Sequence, residues 1–252
     1  MDKVFSQKTF VSGMEDLIPV VNDSSYGRVI AIGDIHGKFS KLQSLLKKIA
    51  VSDEDLIIML GDYVDRGDSV AEVLEWIMDH KDKDNYIFLR GNHEQMMLDT
   101  FYGRMNKLTW FFNGGRTTIS GLSKLKSKDD TFIERMLEFV ESLPLYYSMT
   151  IGNRNYVFVH AGIDSQIPLE EQDEDFLLWV RERFFDNYNG DDVVISGHSP
   201  VQAFPKFGVA DNPRPIKLPD KNIVLVDTGS FMWNGKISAV DILSGRYWQS
   251  SD

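Results

Sequence analysis

From Arg28 onward the apolar positions alternate between two periods. Arg28-Val29-Ile30-Ala31-Ile32 is a short apolar run closed by Gly33. Phe39, Leu42, Leu45, Leu46 and Ile49 then recur at helical spacing. Leu56–Leu60 is a second apolar run, closed by Gly61, and Val70, Val73, Leu74 and Ile77 return to the helical period, with Asp68 or Ser69 placed to cap. Tyr86–Leu89 is a third run, followed by Arg90 and Gly91. Unbroken apolar strands separated by helices are buried on both faces, so the order β-α-β-α-β predicts a parallel sheet. Residues 95–143 read as mostly helical, most clearly at Ile133, Met136, Leu137 and Val140. The second half changes character. Leu145–Ile151 and Tyr156–His160 flank Gly152-Asn153-Arg154-Asn155 and predict a hairpin. A helix is expected around Phe176–Phe185, and short strands at Val193–Ser196, Ile223–Val226, Lys236–Leu243 and Tyr247–Gln249. A parallel start continued by meanders predicts an α/β fold of two packed sheets with helices outside.

Residues 1–27 lack this rhythm and read as an N-terminal arm before a single domain spanning 28–252. The chain has 252 residues, 42% of them apolar and 26% charged, a globular balance that excludes a disordered or fibrous protein. Its 27 basic and 38 acidic residues give a net charge of −11, which argues against nucleic acid or an anionic membrane as partner. The absence of cysteine removes disulfides, thiolate metal sites and cysteine nucleophiles together. No basic-then-apolar leader opens the sequence and no apolar run approaches the ~18 residues that span a bilayer, so a cytoplasmic protein is expected.

Chemistry-bearing residues sit just past the strands. Gly33-Asp34-Ile35-His36-Gly37 follows the first, Gly61-Asp62-Tyr63-Val64-Asp65-Arg66-Gly67 the second, and Gly91-Asn92-His93-Glu94 the third. Ligands of a parallel sheet bind beyond the carboxyl ends of its strands, so Asp34, His36, Asp62, Asn92 and His93 should meet on one rim. His160 and His198 end two later strands, beside Gly162 and Gly197, which makes four of the five histidines strand-end residues. Oxygen and imidazole donors without thiolate suit manganese, iron or zinc. Two carboxylates, one able to bridge, and several imidazoles suffice for two ions ~3.5–4 Å apart. His80 reads instead as a cation near a helix C-terminus. Met96-Met97 and Trp110-Phe111-Phe112 read as core, and the acidic run Glu170–Asp175 as a solvated loop or helix start.

The three strand-end motifs, in this order and spacing, resemble the signature of the phosphoprotein phosphatase family, the binuclear-metal serine/threonine phosphatases among calcineurin-like metallophosphoesterases. His160-Ala161-Gly162 and Gly197-His198-Ser199-Pro200 resemble its two later histidine motifs. Asp68 alone stands between Gly67 and Ser69, Val226-Asp227-Thr228-Gly229-Ser230 replaces the C-terminal tyrosine motif of the eukaryotic enzymes, and Gly91–Met96 resembles the bacterial and phage branch. The resemblance implies a four-layer α/β/β/α sandwich with two mixed sheets. It implies one metal held by Asp34, His36 and Asp62, and a second held by Asp62, Asn92, His160 and His198. His93, oriented by Asp65, would protonate the leaving oxygen, while Arg66, Arg90 and Arg181 would grip phosphate. A water between two cations, acidified to hydroxide, would attack phosphorus in line. The implied substrate is a phosphoprotein or a small phosphoester. The competing reading is a symmetrical diadenosine tetraphosphate hydrolase, a relative that usually lacks the aspartate before Arg-Gly and often ends the third motif in Asp; Asp65 and Glu94 favour the phosphatase.

Overall fold

The computed structural model describes residues 26–251, so the predicted arm lies almost wholly outside the described residues. Its strands are β1 (Arg28–Ile32), β2 (Asp55–Met59), β3 (Tyr86–Phe88), β4 (Tyr146–Ile151), β5 (Arg154–Val159), β6 (Val193–Ser196), β7 (Ile216–Lys217), β8 (Ile223–Leu225), β9 (Ser238–Asp241) and β10 (Tyr247–Gln249). The helices are α1 (Phe39–Ile49), α2 (Val70–His80), α3 (Asn92–Phe101), α4 (Lys107–Phe112), α5 (Gly115–Lys128), α6 (Phe132–Ser142), α7 (Glu174–Trp179) and α8 (Glu182–Asn187).

Two five-stranded sheets form, ordered β10-β9-β1-β2-β3 and β4-β5-β6-β8-β7. As the apolar runs predict, β1, β2 and β3 are parallel, with α1 and α2 as crossovers. β4 and β5 form the predicted antiparallel hairpin. The second half is not the expected meander, because β5 pairs β6 in parallel and β6 pairs β8 in parallel. The reason is legible afterwards: Val193–Ile195 and Ile223–Leu225 are apolar without alternation and buried throughout, the signature of strands covered on both faces.

Alternation along β1 assigns the layers. Ile30 and Ile32 pack with Leu42, Leu45 and Leu74 of the helices. Val29 and Ala31 face the other way, against Phe158, Ile195 and Val224 of the second sheet. Val157, Val159 and Val194 turn outward onto Leu177 and Phe184. Three apolar layers between helix, sheet, sheet and helix give the four-layer sandwich.

Local expectations differ at three points. The helix expected around Phe176–Phe185 breaks at Val180 and Arg181, and Arg181 leaves the helical path to donate to His198 O (2.7 Å) and Ser199 Oγ (3.1 Å). His80 ends α2 as expected, but its ring stacks on Trp76 with centroids 4.2 Å apart, and burial lowers its pKa from the ordinary histidine value, which disfavours the charge. In the Trp110-Phe111-Phe112 cluster Trp110 is buried as expected, but Phe112 is 90% exposed.

Candidate active site

The loops after β1, β2 and β3 are joined backbone to backbone. The amides of Ile35 and His36 donate to Asp62 O (3.0 and 2.9 Å), and Gly37 N donates to Tyr63 O (2.9 Å). Glu94, in the first turn of α3, accepts from the amides of Asp62 (2.8 Å), Tyr63 (2.8 Å), Val64 (3.2 Å) and Gly91 (3.0 Å). One carboxylate thus ties the second loop to the third. Burial pushes its pKa up to about 7, against those amides, which favour the charged form. Gly91 is required here because a Cβ would lie 2.3 Å from Asp62 Oδ1. Glu94→Gln should cost about 3 kcal/mol, since an amide NH₂ would face backbone donors in place of an acceptor. Urea unfolding checks this; an unchanged midpoint would mean that the loops are held by their other bonds.

Five site residues that are not glycine occupy the left-handed region: His36 (φ 47°), Asp62 (φ 55°), Asp65 (φ 69°), Arg66 (φ 65°) and His198 (φ 62°). Such conformations cost roughly 1–3 kcal/mol each and cluster where geometry serves function. They turn these side chains inward at the strand ends.

The predicted donors converge. His36 Nδ1–H donates to Val64 O (3.0 Å), His160 Nδ1–H to Leu60 O (2.8 Å) and His198 Nε2–H to Trp179 O (3.2 Å). The opposite nitrogen of each ring is left with its lone pair inward. Asn92 Oδ1 lies 2.8 Å from His160 Nε2 and 2.9 Å from His198 Nδ1, and Asp62 Oδ1 lies 3.3 Å from His160 Nε2. On the other side His36 Nε2 lies 3.5 Å from Asp62 Oδ2 and 3.8 Å from Asp34 Oδ2. Lone pairs aimed at one another repel unless a cation lies between them. Carbonyl-anchored imidazoles are also the usual support of metal ligands. The ligand atoms of His36, Asp62 and His93, and those of Asp62, His160 and His198, form two groups each spanning no more than 4.8 Å, with Asp62 in both. These residues fit a pair of divalent ions.

Electrostatics agrees. Burial, then the neighbouring Asp227 and Asp62 charges, raises Asp34 well above the carboxylate range; burial, then Glu94, does the same to Asp62. Burial lowers His36 and His198 well below the histidine range and takes His160 down to about 3. Massed buried acids beside neutral imidazoles are the setting that bound cations relieve.

His93 is set apart. Its Nδ1 donates to Asp65 Oδ2 at 2.6 Å. Asp65 also accepts from Trp110 Nε1 (2.9 Å to Oδ2) and Thr118 Oγ1 (2.5 Å to Oδ1). Burial lifts Asp65 to about 7, while the bonds from Thr118 and Trp110 oppose the rise. Arg66 donates through Nη1 to His36 Nε2 (2.8 Å) and through Nη2 to His93 Nε2 (2.9 Å). Arg181, bonded to His198 O and Ser199 Oγ, also lowers the pKa of His93 and His198 through its charge. Arg90 is engaged elsewhere, donating to Gln95 Oε1 (2.8 Å) and Leu143 O (3.3 Å) and pairing with Glu174 (3.7 Å).

Sequence reasoning missed four supporting residues. Asp227, raised to about 6 mainly by burial, is a neighbouring acid whose charge raises the Asp34 pKa. A weaker signal was present, because Asp227 follows β8 at a strand end as Asp34 and Asp62 do, though without a glycine before it. Glu94 was read only as a motif position. Trp110 and Thr118 lie 45 and 53 residues beyond Asp65 on α4 and α5, and no local pattern links them to it.

Fold and donor set together define a metallophosphoesterase. Residues 27–229 match the calcineurin-like phosphoesterase model, and the chain belongs to that family. Serine/threonine-protein phosphatase 2 of Salmonella typhimurium is 29% identical over 221 residues, covering 84% of this chain and 91% of that protein. An asymmetrical bis(5'-nucleosyl)-tetraphosphatase, PrpE of Anoxybacillus flavithermus, is 26% identical over 234 residues, covering 83% and 88%. The cold-active protein-tyrosine phosphatase of a Shewanella species shares the fold, with a TM-score of 0.54 over 96% of this chain and 86% of that one at 19% identity.

Proposed function

We propose that this protein is a metal-dependent phosphomonoesterase that hydrolyses phosphoserine and phosphothreonine in proteins. The observation that carries the reading is the His93–Asp65 pair beside donors for two ions. One ion would be held by Asp34, His36 and Asp62, and the other by Asp62, Asn92, His160 and His198. When bound, two divalent ions acidify a water and neutralise phosphoryl charge. Manganese is the proposed ion, with iron or zinc as alternatives, because the donors are oxygen and imidazole without thiolate.

The chain's own groups do the rest. Arg66 and Arg181 grip the phosphate, their guanidinium forks matching its oxygens. Arg66 donates to His36 Nε2 and His93 Nε2, and a phosphate dianion competes for the same N–H groups. Arg90 joins them by exchanging its contacts to Gln95, Leu143 and Glu174 for the phosphate. Burial and the charges of Arg66 and Arg181 hold the His93 pKa low; an incoming dianion offsets that field and favours a proton on Nε2. As the P–O bond breaks, that proton passes to the serine or threonine oxygen, and water supplies the fourth oxygen of inorganic phosphate. Asp65, held by Trp110 and Thr118, keeps the ring aligned. A net charge of −11 opposes an anionic substrate, so these local cations must outweigh the global field.

The test is phosphate release from a phosphoserine peptide beside cleavage of diadenosine tetraphosphate, both with manganese. The expected result is faster peptide turnover, abolished by EDTA. Faster dinucleotide cleavage would overturn the reading in favour of the activity for which the PrpE relatives are named.

A further inference from the structure

The loop between Thr228 and Lys236 carries two aromatic residues that no step above uses. Thr228 and Lys236 close it with an antiparallel bridge, and Lys236 N donates to Thr228 O at 3.1 Å. Lys41 Nζ of α1 donates to Ser230 O (3.2 Å) and Gly235 O (2.6 Å), and Ser230 Oγ donates to Ile35 O (3.1 Å). The loop is therefore fixed directly to the first site loop. On this frame Phe231 is 37% exposed and Trp233 fully exposed. Leaving the Trp233 ring in water, and part of Phe231, forgoes the stabilisation that burial of a large aromatic side chain gives.

Phe231 stands beside the reacting groups. Its centroid is 5.1 Å from that of His36, edge to face, and Arg66 Cζ lies 4.1 Å from it. His36 in turn is 4.7 Å from His93 between ring centroids. Arg66 thus touches Phe231, His36 and His93 together. If Arg66 holds the phosphate and His93 protonates the departing oxygen, the group attached to that oxygen emerges next to Phe231. A serine side chain offers one methylene there, whereas a phenol ring offers an aromatic face or edge.

We propose that Phe231, with Trp233 beyond it on the same anchored loop, is a specificity-determining wall that favours aromatic leaving groups. Phe231 then raises the efficiency of the site on an aryl ester such as phosphotyrosine selectively, relative to phosphoserine. The inference rests on the phosphatase reading above. Aromatic pairs contribute about 0.5–1.5 kcal/mol beyond burial, which corresponds to roughly 2–13-fold.

The test compares kcat/KM on two peptides of identical sequence, one carrying phosphotyrosine and one phosphoserine, with manganese. Phe231→Ala should lower kcat/KM on phosphotyrosine about 3–10-fold more than on phosphoserine. The excess should fall on KM, and Phe231→Trp should restore the wild-type ratio. An equal fall on both peptides would overturn the inference, because Phe231 would then act only by supporting Arg66. Trp233→Ala, on a solvent-exposed residue that folding does not need, should lower the same ratio in the same direction. Turnover of neither peptide by the wild type would sink the phosphatase reading and this inference with it, whereas an unchanged ratio in active variants sinks the inference alone.

Discussion

Asp62→Asn will yield a folded protein that holds neither ion and turns nothing over. Asp62 is the one residue common to both donor groups, and its two oxygens point to opposite sides, Oδ1 toward His160 and Oδ2 toward His36. An amide offers one neutral oxygen and cannot bridge two cations. The loss should exceed the ~10²–10³-fold cost of removing a single preorganised electrostatic group, because two ions leave together. The fold should survive. His93 N donates to Asp62 Oδ1 at 3.0 Å, a bond that asparagine can keep. Burial also raises the Asp62 pKa, so its charge is disfavoured in the metal-free protein, and removing it should not lower the metal-free melting temperature at pH 7. Elemental analysis beside kcat decides the matter; a variant that retains one equivalent of metal and measurable turnover would show that Asp62 is not the bridge.

His93→Asn will separate proton transfer from ion binding. Metal content should stay at two per chain while turnover of a phosphoserine peptide falls ~10²–10⁴-fold, the usual worth of a positioned acid. p-Nitrophenyl phosphate, whose phenolate leaves without help, should be affected far less. The geometry makes this a sharp test, because His93 Nε2 lies 3.9 Å from Asp62 Oδ2 and belongs to the same compact group as His36. Loss of one ion in the variant, with equal slowing on both substrates, would make His93 a ligand and leave the acid to be found elsewhere.

The first sheet and the rim of the site were legible because each depends on local pattern. A strand followed by glycine and then aspartate twice and asparagine once fixes both the parallel pairing and the convergence of Asp34, Asp62 and Asn92. The second sheet was less legible. Its strands are three to six residues long, apart from the two-residue β7, and long connections separate β5, β6 and β8, so their parallel pairing rests on contacts between Val157, Val194 and Ile223 that are far apart in sequence. The support of Asp65 was invisible for the same reason. Trp110 reads as an ordinary core residue until the fold turns its indole N–H onto a carboxylate. The direction taken by Arg90, toward Gln95 and Glu174, is likewise set by where α7 comes to rest.

The left-handed backbone at His36, Asp62, Asp65, Arg66 and His198 sets thermal robustness against turnover. Glycine or asparagine accepts that conformation at lower cost than histidine or arginine does. A mutant library sorted by heat resistance alone would therefore enrich substitutions at these five positions, and its hardiest survivors would be inactive. Breeding a tougher catalyst from this chain requires holding those positions constant and gaining stability elsewhere, at the exposed Phe112 or along the helix surfaces far from the rim.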